Sequence, residues 1–129
     1  MREAVLIALA GAVGSVSRYG VNLLARRLLG EKFPFGTLAV NVLGCLIFGF
    51  VMHVALNSDQ IPRQARIAIT TGFLGAFTTF STFGYETVTG WQETGWIPAV
   101  TNILANVVLG VAAAWGGMAI GKAMVGTTP

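Results

Sequence analysis

Charge is what this chain has least of. Aspartate and glutamate together number 5 in 129 residues, lysine and arginine 8, and charged residues make up 10% of the whole, where an ordinary soluble domain carries about a quarter. With 54% of the residues hydrophobic, too little polar surface is available to keep such a chain in water. Cysteine occurs once, so no internal disulfide forms, and Cys45 reads as a small apolar residue inside an apolar span. Histidine also occurs once. His53 has no His, Cys or carboxylate at ligand spacing, which favours a satisfied or interfacial side chain over a metal ligand. A Ser, His and carboxylate set at matching depth is missing, as is a Gly-rich phosphate loop ending in Lys, so enzyme readings lack their residues. The net charge of +3 does not indicate nucleic acid, because the basic residues are scattered through connections without interleaved aromatics.

What the chain does have is apolar length. A membrane-crossing helix needs about 20 predominantly apolar residues, and four such spans can be drawn, at residues 4–25, 35–56, 66–89 and 97–119. The connections are short and carry Gly, Pro, Asn and Asp. The expectation is an all-α membrane protein with a single four-helix transmembrane domain over residues 1–129. The opening "MREAVLIALAGAVGS" resembles a signal peptide, but its apolar pattern continues to Ala25 and three further spans follow, so it reads as the first helix.

Basic residues in short loops set orientation. The side holding the N-terminus carries Arg2, Arg63, Arg66 and Lys122, and the other side Arg26, Arg27 and Lys32. That balance suggests insertion both ways up, a dual topology that would permit antiparallel pairing. Four helices of this length leave little room for a hydrated path inside one copy, so transport would require assembly. Small residues at helical spacing offer close-packing faces: Gly11 with Ser15, Ala10 with Gly14, Gly110 with Ala114, and Gly117 with Gly121. Packing within one copy and packing between copies both remain open for these pairs.

Polar side chains at membrane depth are functional candidates. Arg18 either snorkels to the interface or lines a water-filled cavity as a cation that concentrates anions. Asn41 either ties helices together or supplies amide donors to a pathway. Asn102 and Asn106 lie one helical turn apart, beside Thr101, and form a stripe of donors. Glu86 is the only carboxylate candidate in a span, and the middle of the first two spans has none. An exporter coupling protons to cations needs such a group, so the inventory favours an anion.

One stretch stands out, "GFLGAFTTFSTF" at residues 72–83. Glycine with a run of Thr and Ser lowers helix propensity, and a break near Ala76 to Thr79 would free carbonyls and amides. In hydrocarbon that is tolerated where those groups are buried, bind an ion or line a cavity. Freed carbonyls suit a small hard cation. Phe80 and Phe83 then share one helical face, as do Thr79 and Thr82. A ring edge carries positive partial charge, so a small anion could pass between ring edges and hydroxyl or amide donors without a fixed cation to trap it. A core or lipid-facing aromatic stripe is the alternative.

The sequence resembles the small fluoride channels of the Fluc (CrcB-type) family. The resemblance rests on "GFLGAFTTFSTF", on "GTLAVNVLG" at residues 36–44 and on "GAVGSVSRY" at residues 11–19, one motif in each of the first three spans. It implies an antiparallel dual-topology homodimer in the cell inner membrane, with a break in the third helix and two pores, conducting fluoride passively and lowering cytoplasmic fluoride without ATP. By that similarity Asn41, Phe80 and Phe83 would line each pore, with Ser81 and Thr82 adding hydroxyl donors. Carbonyls of Gly75 and Thr78 from both subunits would hold a central, structural sodium ion, and Arg18 would lie by the aqueous vestibule. Glu86 matches a family carboxylate beyond the motif. The fourth span departs from the family: Asn102 and Asn106 stand where members carry Tyr or Ser, so these two would take over the donor function. Two other classes compete, a small multidrug-resistance exporter, opposed by the missing carboxylate in the first span, and a non-transporting membrane assembly subunit.

Overall fold

The computed structural model describes residues 1–127, and the regular elements among them are all helical. Helix α1 (Arg2–Leu29) ends at Gly30, whose φ of 79° is a conformation that glycine adopts without steric cost. Helix α2 is Phe35–Asn57. The third crossing is compound: α3 (Arg63–Ile67), a π-helical stretch Ala68–Leu74, α4 (Gly75–Phe77) and α5 (Phe80–Thr94). The fourth runs as α6 (Trp96–Leu104), a second π-helical stretch Ala105–Leu109 and α7 (Gly110–Val125). Taken as crossings, Arg2–Leu29, Phe35–Asn57, Arg63–Thr94 and Trp96–Val125 are each long and apolar enough to span a bilayer.

Burial is arranged as in lipid rather than in water. Large apolar side chains point outward along α1 (Val5, Leu9, Val13, Val16) and α7 (Val111, Trp115, Met118), a surface that a water-soluble bundle would bury. The core is small: Val40, Leu74 and Phe77 are buried, with Val21, Ile47, Ile69 and Phe73 packed on them. Trp91 and Trp96 are exposed on either side of Gly95, as interfacial anchors flanking a turn would be. This is a multi-pass membrane protein.

With no water to drive helices together in lipid, close backbone approach has to hold the bundle. The tightest seam joins α2 to α7. A Cβ on Gly49 would overlap the carbonyl oxygen of Ala114, and one on Gly117 would overlap the carbonyl oxygen of Leu46. Gly121 faces His53 in the same seam, and Gly110 faces Cys45 Sγ. On the other side of the molecule Gly14 of α1 lies on the carbonyl of Phe73, and Gly72 lies on Ile7 and Ala10. Gly14, Gly110, Gly117 and Gly121 therefore make contacts inside one chain. Replacing Gly117 with alanine should lower stability by about 1–3 kcal/mol through overpacking against backbone. Gly116→Ala is the control, because its Cβ would meet only Leu46 Cδ1, at 3.9 Å. Thermal unfolding of the two variants in detergent should separate them, and equal midpoints would remove the seam from this account.

Candidate ion pathway

The helical ladder is interrupted between α4 and α5. Thr78 has φ −81° and ψ 159°, and Thr79 has φ −151° and ψ 111°, both extended. The groups released there are met by other elements. Thr79 N–H, which in a continuous helix would bond the carbonyl of Gly75, donates instead to Asn41 Oδ1 of α2 at 2.9 Å. Thr79 Oγ1 accepts from Thr82 N–H at 3.2 Å and so caps α5. It also donates to Thr82 Oγ1 at 2.9 Å, with Ser81 Oγ 3.5 Å away. Arg18 Nη1 donates to the carbonyl of Thr78 at 3.2 Å. Gly44 lets α2 come close enough for this, since a Cβ there would overlap Thr78 Cγ2.

From Asn41 a run of amides crosses the bundle. Asn41 Nδ2 donates to Asn106 Oδ1 at 2.9 Å and to the carbonyl of Thr79 at 3.3 Å. Asn106 Nδ2 donates to Asn102 Oδ1 at 3.0 Å and to the Asn102 carbonyl at 3.1 Å. Asn102 Nδ2 donates to Thr87 Oγ1 at 2.9 Å. Asn106 lies in the π-helical stretch Ala105–Leu109, a kind of local widening that often accompanies functional sites. Asn102 and Thr79 are buried polar residues, at 2% and 6% relative exposure, so their hydrogen bonds replace those that lipid cannot offer.

Two cavities flank this run. The larger, about 430 Å³, is walled by Asn22, Arg26, Lys32, Glu86, Glu93 and Asn102 among others, at the end of the bundle where α1 meets α2 and α5 meets α6. The smaller, about 390 Å³, is mainly apolar and includes Asn41, Cys45, Gly75, Thr78, Phe80, Phe83 and Asn106 in its wall. The amides thus link the two. Phe80 is 82% exposed at the smaller cavity, and its ring centroid lies 5.5 Å from that of Phe83 at an interplanar angle of 53°. At the larger cavity Thr37 Oγ1 donates to Glu86 Oε1 at 3.0 Å, while Glu86 Oε2 is buried without a hydrogen-bond partner among the described residues.

The sequence model of the family described as CrcB-like protein, Camphor Resistance (CrcB), matches residues 5–118. The chain belongs to the CrcB family. Among curated CrcB relatives, a protein of Dehalococcoides mccartyi named "Fluoride-specific ion channel FluC" is 50% identical over 111 residues, covering 86% of this chain and 85% of its own. Proteins of the same name from Nitratidesulfovibrio vulgaris and a Geobacter species are 46% identical over 123 residues and 41% identical over 124 residues. They cover 95% and 96% of this chain, and 98% and 100% of their own lengths. The relatives carry the name of an ion channel rather than of an enzyme.

In this CrcB chain Asn41, Asn102 and Asn106 meet in one hydrogen-bonded run, and Asn41, Phe80, Phe83, Gly75 and Thr78 share the wall of the smaller cavity. Ser81 and Thr82 sit exposed on the first turn of α5. Arg18 reaches the Thr78 carbonyl, and Asn22 and Arg26, one and two turns further along α1, line the larger cavity. His53 Nε2 lies 2.9 Å from the Gly126 carbonyl, and no group of His, Cys, Asp or Glu able to hold a metal occurs among the described residues. Sequence reasoning missed Thr37 and Thr87. Thr37 lies four residues before Asn41, on the same helical face, and that spacing was the available signal.

Proposed function

We propose that the chain forms a fluoride-selective channel that passively exports fluoride through two pores of an antiparallel, dual-topology homodimer in the cell inner membrane, lowering cytoplasmic fluoride. The observation that carries this reading is the run of three side-chain amides joining two cavities across a helix interruption, with no cationic side chain in the run itself. Fluoride is small and strongly hydrated, so leaving water requires several close donors; amide N–H groups, the Ser81 and Thr82 hydroxyls and the ring edges of Phe80 and Phe83 supply them without a full charge that would trap the ion. The start of α5 adds the positive end of a 15-residue helix at the same depth. Relatives named as fluoride-specific channels, covering most of both chains, support the same substrate.

The exposure of Phe80 supports assembly. A ring this open at an apolar cavity has no second wall within one copy, and a second copy placed against the same face would supply one. That face also carries the candidate sodium ligands. The Gly75 carbonyl loses its helical partner because Thr79 N–H turns to Asn41, and the Thr78 carbonyl lies outside any helix. Hard oxygen donors of this type fit a small cation. Arg18 occupies one lone pair of the Thr78 carbonyl, so an ion there would share that oxygen with a guanidinium. Bound at the centre, sodium would supply fixed positive charge holding two copies together, while the amides and ring edges handle the anion.

Purified protein in liposomes loaded with fluoride and chloride tests the proposal directly. Rapid fluoride efflux with little chloride efflux, read by ion-selective electrodes, is the expected result. Folded, reconstituted protein that releases neither ion would overturn the channel reading.

A further inference from the structure

The run of amides has a direction, and the direction is fixed at both ends by atoms that cannot exchange roles. At one end is the Thr79 backbone N–H, which only donates, so Asn41 presents Oδ1 to it and Nδ2 to Asn106. Asn106 is held the same way round by a second backbone group, because its Nδ2 also meets the carbonyl oxygen of Asn102. Asn102 differs. Its amide lies between two side chains: Asn106 Nδ2 sets Oδ1 as the acceptor, and its own Nδ2 end is held by Thr87. At the far end Thr87 Oγ1 donates to the carbonyl of Phe83 at 2.7 Å. That hydroxyl has one proton, and committing it to a carbonyl leaves the oxygen only as an acceptor toward Asn102.

We propose that Thr87 is a positioning residue of the pathway: its hydroxyl converts the fixed acceptor of the Phe83 backbone into a fixed acceptor for Asn102, and so anchors the donor end of the Asn102 amide, whose oxygen Asn106 already orients. The proposal rests on the channel reading above. Asn102 is the member of the run that lines the larger cavity. With one N–H committed to Thr87 and Oδ1 committed to Asn106, the other N–H of Asn102 has no acceptor among the described residues. It is the donor left for an anion coming from that cavity. The same hydroxyl ties the run to the backbone carbonyl of Phe83, so the amides and a pore-facing ring are referred to one turn of α5. A valine at position 87 keeps the shape of the side chain, removes both hydrogen bonds and leaves the Asn102 amide held only at its oxygen.

The test compares Thr87→Val and Thr87→Ser in reconstituted liposomes, together with Asn102→Leu and the double variant Thr87→Val/Asn102→Leu. Thr87→Val should lower fluoride efflux about tenfold, the scale of one buried hydrogen bond between polar groups, and Thr87→Ser should restore it to within about twofold. In the Asn102→Leu background Thr87→Val should have no further effect on efflux, because the group it positions is gone. A Thr87→Val effect that persists undiminished in that background, or that serine does not rescue, would overturn the positioning role. So would wild-type efflux from Thr87→Val. Thermal unfolding in detergent gives a readout independent of conduction: Thr87→Val should destabilise the wild type more than Asn102→Leu, where only the bond to the Phe83 carbonyl is lost, and equal destabilisation in both backgrounds would count against the coupling. A wild-type protein that conducts no fluoride would defeat the channel reading alone, and the unfolding comparison would still decide whether Thr87 and Asn102 act as a unit.

Discussion

Asn41→Asp is expected to abolish fluoride conduction while leaving the helices in place. The substitution changes no volume, but it removes both donations from Nδ2, to the Thr79 carbonyl and to Asn106 Oδ1. An ionised carboxylate would then face Asn106 Oδ1, acceptor against acceptor, at the junction between the two cavities. It would also repel the permeating ion: two unit charges about 4 Å apart interact by about 4 kcal/mol at an effective dielectric constant of about 20. A barrier raised by that amount slows passage on the order of a thousandfold. Asn41→Leu separates the two causes, since it removes the donors without adding charge, and should fall short of the aspartate effect. Efflux from liposomes measures both, with gel filtration to verify that each variant is folded. Undiminished flux in Asn41→Asp would take Asn41 out of the pathway.

The second large effect is expected from Phe80→Ile. Because Phe80 is 82% exposed within the chain, shortening its ring to a branched aliphatic group empties no core cavity, and a change in activity cannot be assigned to lost packing inside the copy. What is lost is a polarised ring edge, with part of its tilted contact with Phe83. Aromatic interactions of this kind contribute about 0.5–1.5 kcal/mol each, and an ion that has shed much of its water should feel the loss at the upper end, a reduction of roughly tenfold in efflux. The electrode assay used for Asn41→Asp applies unchanged. Wild-type flux from Phe80→Ile would leave the amides and hydroxyls as the whole of the anion pathway.

The four crossings were legible because length and apolarity are properties of the chain itself, and a bilayer imposes the same length on every helix that spans it. Asn41, Asn102 and Asn106 were legible for a related reason, as amides are too costly in hydrocarbon to be incidental. Their meeting was not. The π-helical stretch Ala105–Leu109 that carries Asn106 has no residue signature of its own, and an ideal α-helical projection of the fourth span says nothing of the widening. Thr87 was hidden by its chemistry, since a threonine in a helix commonly bonds a carbonyl one turn back, and its acceptor role appears only once α6 is packed beside it. The partner of the small-residue face on α7 was equally hidden: spacing marks Gly117 as small, and only the fold sets it on Leu46 of α2.

The amide run also constrains how the chain is made. The partners of Asn41 are Thr79 and Asn106, which lie 38 and 65 residues downstream, so during synthesis α2 enters the bilayer before either exists. Until the third crossing has been inserted, the Asn41 amide must be met by water, by the translocation machinery or by a transient neighbour, because lipid offers it nothing, and its bond to Asn106 waits for the fourth. Maturation of the bundle is therefore tied to insertion of the fourth crossing. A nascent chain stalled before α6 would carry a strong apolar signal for insertion and an incomplete set of polar partners, a state that quality control in the membrane can recognise by its unpaired amide N–H.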